Sequence, residues 1–304
     1  MFVSKIIAII YSSEMILNPD CYTFEEHYYN KGFLDESVDA TYILYLEGNG
    51  RYDQVLQQLS VYKPTKIVYI VVNKGFKRCT KPLYVDIPPL DLVDANLEIF
   101  THAAKKKYNN ILILEDDFLF NEKIIDPIVS NRINSFILKQ GDRKFLYSLG
   151  CVPLFLFPYD QYTYYGNFTA THACIFSKEY REDFARSHKK HRNILDWDAW
   201  NPVCYTYYEP LCYQLFPETE NQKYWGSDGN YWGSYISKMR ISLLRLDVQP
   251  EPGYFIIYTF AKMLFWIYIF IFIFLVYFIY SMWQKGGFRA YIQTGKRLFK
   301  SFFQ

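Results

Sequence analysis

Short apolar runs alternate with amphipathic segments along the first half of the chain, and this alternation predicts strands followed by helices. Thr41–Leu46, Lys66–Val72 and Ile111–Leu114 are nearly continuous apolar runs, typical of strands buried on both faces of a parallel sheet. Between them, Arg51–Leu59 and Asp91–Lys107 have the apolar spacing of helices. This order favours βαβ units, and therefore an α/β fold with a mostly parallel sheet flanked by helices.

The same pattern continues beyond residue 120. It predicts a helix over Ile124–Lys139, a strand over Phe145–Leu149 and another strand over His172–Phe176. Ser177 stands where a helix N-cap is expected, so we predict that a helix follows it as far as Ser187.

Two segments have a less regular pattern, and one short segment at the N-terminus resembles a further strand. The Pro-containing stretch Cys151–Tyr165 is expected to be irregular. Asn193–Trp232 is rich in Trp, Tyr, Pro and acids, and long segments of this kind are often binding loops. At the N-terminus, Lys5–Tyr11 has the composition of an extra strand.

One segment has the length and composition of a membrane span. Met263–Trp283 contains no charged residue in 21 positions, and about 20 apolar residues cross a bilayer as a helix. We therefore expect a catalytic domain over 1–253, a transmembrane segment over 254–283 with its core at 263–283, and a tail over 284–304. The tail has the spacing of a basic amphipathic helix in the headgroup region, although a solvated basic tail is an equal alternative.

The charge is balanced overall but unevenly placed. With 33 Lys and Arg against 31 Asp and Glu, the composition gives no reason to expect a nucleic-acid partner. The positive-inside tendency places the basic tail in the cytosol and residues 1–253 on the far side. The N-terminus offers only Lys5 before a six-residue apolar run, which is short for an export signal. A tail-anchored protein with a cytosolic domain is the simpler expectation.

The six cysteines are widely spaced and include no Cys-x-x-Cys pair. We expect buried reduced thiols rather than a zinc site or a disulfide framework.

Three acids directly follow one of the predicted buried strands. Ile111–Leu114 runs straight into Glu115-Asp116-Asp117, and the carboxyl edge of a parallel sheet is where open α/β folds bind ligands. Carboxylates clustered there suggest a divalent cation such as Mg²⁺ or Mn²⁺. The alternative is a solvated acidic turn after a strand.

Three stretches, taken together, resemble a GT-A-type glycosyltransferase, closest to the LPS/procollagen galactosyltransferase type. That family's metal motif follows a strand as Leu-Glu-Asp-Asp, as Leu114 and the three acids do here. The second stretch is Thr171–Glu179, and the third comprises Asp196-Trp197-Asp198 and the Pro-x-x-x-Gln element from Pro210 to Gln214. Two features differ from the family: Leu46-Glu47-Gly48 stands where it often has Asn-Leu-Asp/Arg, and its soluble members have no C-terminal membrane helix.

The resemblance implies a GT-A fold and a role for each matching acid. Asp117 and Glu115 would bind Mn²⁺ or Mg²⁺, and Glu115 and Asp116 would contact the nucleotide-sugar donor, most simply a UDP-sugar. Asp198 or Asp196 would be the general base of an inverting reaction. Lys81 follows the second predicted strand and is a candidate contact for the diphosphate, with an ordinary solvated loop as the alternative.

The expected function is metal-dependent transfer of a sugar from a nucleotide-sugar to a hydroxyl of a glycan, protein or lipid acceptor. Two alternatives remain open. A strand-end Mg²⁺ phosphatase or nuclease of the haloacid dehalogenase kind would place a nucleophilic Asp directly after the apolar run, where Glu115 stands. A membrane-anchored scaffold or degenerate transferase would keep the fold without turnover.

Overall fold

The computed structural model describes residues 19–188, 204–214, 216 and 231–284. Two short 3₁₀ helices lie at Pro19–Cys21 and Glu122–Ile125. The described strands are β1 (Tyr22–Tyr28), β2 (Ala40–Leu46), β3 (Ile67–Asn73), β4 (Asn110–Glu115), β5 (Phe118–Phe120), β6 (Leu146–Pro158), β7 (Thr163–Ser177), β8 (Cys204–Tyr207) and β9 (Cys212–Gln214). The described helices are α1 (Tyr52–Val61), α2 (Pro88–Lys106), α3 (Pro127–Gln140), α4 (Lys178–His188), α5 (Tyr231–Leu244) and α6 (Gly253–Gln284).

Within this described part of the chain, seven strands form one mixed sheet in the order β1-β3-β2-β4-β7-β6-β8. The central strands β3, β2 and β4 are parallel neighbours, as predicted. β1 is antiparallel to β3, and β7 is antiparallel to both β4 and β6. β6 and β8 are parallel to each other. β5 and β9 pair separately as a two-stranded antiparallel sheet. The α/β class is confirmed, and the sheet is mixed rather than mostly parallel throughout.

The central strands are buried on both faces, which explains their continuous apolar sequences. Ile43, Leu112 and Leu114 belong to a buried cluster that also contains residues of α1 and α3. On the opposite face, Tyr42 and Ile113 pack in a cluster with residues of α2. Each βα unit therefore covers one side of the parallel strands, as the sequence pattern required.

The prediction that Cys151–Tyr165 is irregular was wrong. β6 and β7 form a long antiparallel hairpin through this stretch. Its prolines are accommodated because the pairing is interrupted by register shifts, one of them between Pro153 and Phe155, while Pro158 ends β6. The prediction for Ser177 was confirmed: its Oγ accepts a hydrogen bond from Tyr180 N at 3.1 Å, at the start of α4.

The expectation for the cysteines was wrong at two positions. Cys21 and Cys79 are joined by a disulfide that closes a sequence separation of 58 residues. Spacing alone did not reveal this pair because the two residues meet only through the pairing of β1 with β3. The remaining four cysteines are buried free thiols, as expected. The proposed strand at Lys5–Tyr11 lies outside the described residues.

Among the described helices, the 32-residue α6 alone is long and apolar enough to cross a membrane. Its first turns belong to the domain core, because Tyr254, Ile257, Tyr258 and Ala261 are buried. Tyr258 Oη accepts a hydrogen bond from the backbone N–H of Cys151 in β6 at 3.2 Å. The domain boundary expected at residue 253 therefore falls inside the packed part of a continuous helix, while the basic tail lies outside the described residues.

Candidate functional site

The candidate site lies where β2 and β4 end side by side at the carboxyl edge of the sheet. Leu44 of β2 is in register with Glu115 of β4. Beyond β2 the chain makes a tight turn with Gly48 at φ 77° and Gly50 at φ 81°, a conformation that favours glycine. This turn leads into α1 and brings polar side chains back toward the acids that follow β4.

Asp116 is held by three groups from that turn. Its Oδ2 accepts hydrogen bonds from the Leu46 N–H at 3.1 Å and from Asn49 Nδ2 at 2.5 Å. Its Oδ1 pairs with Arg51 Nη1 at 2.7 Å. Both carboxylate oxygens are thus satisfied by protein donors, so Asp116 serves mainly to tie the end of β4 to the start of α1.

Asp117 is buried and only partly satisfied. Its Oδ2 accepts a hydrogen bond from Gln214 Nε2 at 3.3 Å and lies 3.7 Å from Arg51 Nη1. Its buried Oδ1 has no hydrogen-bond partner among the described residues. Burial, and secondarily the neighbouring charge of Asp116, raises the pKa of Asp117 to about 7 despite the opposing effect of Arg51. A buried carboxylate oxygen without a donor is costly, and a bound cation would remove this cost.

Gln214 is brought to the acids by the small β5–β9 sheet. Phe118, directly after the acidic motif, is in register with Gln214 across 96 residues of sequence. Gln214 Nε2 also lies 3.5 Å from Glu115 Oε2. Tyr254 holds the backbone of Gln214 in position. Its hydroxyl accepts a hydrogen bond from Gln214 N at 3.0 Å and donates one to the Gln214 carbonyl oxygen at 3.3 Å.

A cationic side chain of α5, Arg240, lies close enough to Tyr254 to interact with it electrostatically. Arg240 is partly buried, and this burial lowers its pKa. Its Nε is buried, and among the described residues neither a hydrogen-bond partner for Nε nor a carboxylate paired with the guanidinium is found. A buried guanidinium in this condition is suited to bind an anionic ligand.

The structure brings together some of the predicted site residues and separates others. Glu115, Asp116 and Asp117 meet Gln214 as described above. Lys81 is fully buried elsewhere, with its Nζ bonded to Asp91 at 2.5 Å, Asn73 at 2.7 Å and Tyr22 at 2.6 Å. These contacts give Lys81 a structural role between β3 and α2, and they do not support the expectation that it binds a diphosphate.

The predicted general bases Asp196 and Asp198 lie outside the described residues. Within the part of the chain that the structure describes, no group of three or more His, Cys, Asp or Glu side chains is arranged to hold a metal ion. Asp117 and Glu115 are therefore at most part of a ligand set.

The residues that sequence analysis missed are Asn49, Arg51 and Arg240. The first two had a readable signal, because Gly48-Asn49-Gly50-Arg51 follows a strand predicted to lie parallel to β4, and the carboxyl ends of parallel strands share one edge. Arg240 had none, because its burial depends on how α5 packs beside Tyr254.

The chain matches no protein-family model and no curated protein. Assignment of a function therefore depends on the residues of the site itself.

Proposed function

We propose that the protein is a membrane-anchored, metal-dependent glycosyltransferase of GT-A type that uses a nucleotide-sugar donor. The observation that carries this proposal is the buried Oδ1 of Asp117 at the carboxyl edge of the sheet, which has no hydrogen-bond partner among the described residues. This edge is where α/β folds bind nucleotide ligands. The three acids after β4 also resemble the metal motif of the family named in the sequence analysis.

The residues of the site divide into ligands and supports. Asp117, with Glu115 beside it, would hold Mn²⁺ or Mg²⁺, because hard oxygen donors suit these ions. When bound, the cation supplies charge stabilisation for the diphosphate that leaves the donor. Asp116 and Arg51 keep the strand end in place, and Gln214 orients the Asp117 carboxylate through Oδ2.

Arg240 adds a positive charge beside Tyr254, the residue whose hydroxyl bonds the backbone of Gln214. A guanidinium binds phosphate oxygens in bidentate geometry, and Arg240 has no carboxylate partner among the described residues to compete for it. We assign it to the diphosphate of the donor. Asp196 and Asp198 stay the candidates for the general base that deprotonates the acceptor hydroxyl.

The test uses the full chain in detergent micelles, with Mn²⁺ binding and hydrolysis of UDP- and GDP-sugars as separate readouts. We expect one donor to be hydrolysed with Mn²⁺, and EDTA or Asp117→Asn to abolish both binding and hydrolysis. Asp142→Asn, at an exposed acid in the turn after α3, is the matched control and should change neither. Arg240→Gln should raise the KM for the donor with little effect on Mn²⁺ binding, and Arg240→Lys should partly restore the KM.

Two results would contradict the proposal. Unchanged Mn²⁺ binding in Asp117→Asn would remove this carboxylate from the metal site. Donor binding by the folded protein without turnover of any donor would favour the membrane-anchored scaffold.

The disulfide changes the expected side of the membrane. Stable disulfides form in oxidising compartments and are rare in the cytosol, and the basic tail favours a cytosolic C-terminus. We therefore propose that the domain containing Cys21 and Cys79 faces a lumen or the cell exterior, in place of the cytosolic arrangement expected from the sequence.

A further inference from the structure

The membrane helix and the acid cluster are joined without a flexible linker. Gln214, whose side chain contacts Asp117, is bonded through its backbone to the hydroxyl of Tyr254. Tyr254 lies in the second position of α6, and the same helix continues without interruption to Gln284. The height of the site above the bilayer is therefore set by the helix itself.

That height is small. Nine residues separate Tyr254 from Met263, the first residue of the uncharged run, which is about 14 Å at 1.5 Å per residue. The headgroup layer occupies about 5–7 Å on each side of the hydrocarbon core. Tyr254, which bonds the backbone of Gln214, thus lies within about 10 Å of the lipid headgroups, and a tilt of α6 would bring it closer.

The orientation of the sheet directs the same edge toward the membrane. β6 runs parallel to β4 because both are antiparallel to β7, and Gly150 of β6 is level with Leu114 of β4 across β7. Beyond Gly150, β6 continues for eight residues to Pro158, which projects the hairpin about 25 Å past the level of Leu114. α6 follows this projection, from Tyr258 beside Cys151 to Phe265, whose ring lies 5.3 Å from that of Phe157. The carboxyl edge of the sheet and the span therefore lie on the same side of the domain.

α5 extends this side with an exposed apolar face. Its exposed apolar side chains include Leu243 at 76% and Tyr235 at 62%. The end of α5 packs directly against the start of α6, because a Cβ on Gly253 would lie 2.4 Å from Leu246 Cδ2 and 2.9 Å from Leu244 O. An apolar helix face that continues into a membrane span is suited to lie in the interface of the same bilayer.

We propose that the acid cluster faces the bilayer that α6 crosses and acts on a hydroxyl carried by a membrane lipid. This inference rests on the proposed transferase function and narrows its acceptor. An enzyme on a long flexible linker can reach soluble proteins and glycans, whereas a site held at this height by a rigid helix reaches the headgroup layer first.

The orientation is tested on the full chain in phosphatidylcholine nanodiscs, independently of activity. Single cysteines labelled with a donor dye are placed at Glu122, next to Asn121 that bonds Tyr213, and at Glu36, before the opposite end of β2. The four native free thiols are buried and should not react with the dye. A third single cysteine is placed at Leu243 in α5. With acceptor dyes on the lipid headgroups, energy transfer should be strongest from position 243, and stronger from position 122 than from position 36. Equal transfer from Glu122 and Glu36, or the reverse order, would overturn the orientation.

The acceptor class is tested with the radiolabelled donor that the full chain hydrolyses. A glycolipid extract in phosphatidylcholine vesicles is compared with the same headgroups released from their lipids. We expect label on the lipid-borne headgroups and at least tenfold less on the released ones. Equal labelling of both, or label on neither while donor hydrolysis continues, would overturn the lipid acceptor and leave the transferase proposal standing. Loss of donor hydrolysis itself would instead count against the transferase.

A helical insertion in α6 tests the distance of the site from the bilayer separately from catalysis. Seven residues inserted between Lys262 and Met263 add about 10 Å and nearly preserve the helix face. This variant should lose at least tenfold in lipid labelling while donor hydrolysis stays unchanged. The same insert between Trp283 and Gln284 lengthens the helix without lifting the domain and is the matched control. Equal lipid labelling by the two insertion variants would contradict the inference.

Discussion

Truncation after residue 253, where the sequence pattern predicts that the domain ends, should unfold the protein. A fragment of residues 1–253 ends before Tyr254, Ile257 and Tyr258, which are 0%, 6% and 1% exposed in the described structure. A fragment of residues 1–262 keeps all three and stops before the uncharged run. The two fragments therefore differ by nine residues, and by the part of α6 that fills the core beside β6.

The magnitude follows from the buried side chains. Removing a buried aromatic side chain costs about 3–5 kcal/mol and a buried Ile about 2–5 kcal/mol. The three together reach about 8–15 kcal/mol, although neighbouring sites do not add strictly. This equals the whole stability of an ordinary domain, about 5–15 kcal/mol. In addition, Gln214 N and Cys151 N would lose the hydroxyl oxygens that accept their hydrogen bonds.

The assay is thermal unfolding by circular dichroism, with size-exclusion chromatography on both fragments. We expect a cooperative transition for 1–262 and none for 1–253. A cooperative transition for 1–253 within a few degrees of that for 1–262 would refute the assignment of these turns to the core. Tyr254→Phe within 1–262 isolates the hydrogen bonds, and it should cost about 1–3 kcal/mol.

Three further predictions concern single contacts. Arg51→Met should lower the unfolding free energy by about 2–4 kcal/mol, because it leaves a largely buried carboxylate without its cation; chemical denaturation measures this. Gly150→Ala should lower both Tm and Mn²⁺ affinity, because its Cβ would lie 1.6 Å from Cys212 O and displace the strand that ends at Gln214. Replacing Cys21 and Cys79 by Ser should cost about 4 kcal/mol, as a cross-link of this loop length predicts, and should remove the mobility shift between reduced and non-reduced samples.

Each of these has its own control or contrary result. Arg78→Met changes an exposed guanidinium, with 58% of its side chain accessible, and should alter stability by less than about 1 kcal/mol. Unchanged Mn²⁺ affinity in Gly150→Ala would show that Gln214 does not position the metal ligands. Alkylation of all six thiols after denaturation of the membrane-expressed protein without reduction would contradict both the disulfide and the proposed lumenal side.

The sequence by itself determined the elements whose signal is local. The apolar runs at Ile111–Leu114 and Thr41–Leu46 identified the central strands because a strand buried on both faces must be apolar at every position. The adjacency of Glu115-Asp116-Asp117 to such a strand located the candidate site, and the uncharged run from residue 263 identified a helix long and apolar enough to cross a membrane. These inferences need only near neighbours along the chain.

Only the tertiary structure decided which distant residues meet those elements. The contacts of Asp116 with Arg51 and of Asp117 with Gln214 cross 65 and 97 residues, and the sequence resemblance proposed Gln214 without placing it. The disulfide of Cys79 with Cys21, and the contact of Lys81 with Tyr22, likewise join residues that lie far apart along the chain. Tyr254 was assigned to the membrane segment because hydropathy reports apolar character, whereas burial against protein or lipid depends on what packs beside the helix. The local sequence pattern shows whether a residue needs an apolar or a polar environment. The fold of the whole chain determines which residues or lipids provide that environment.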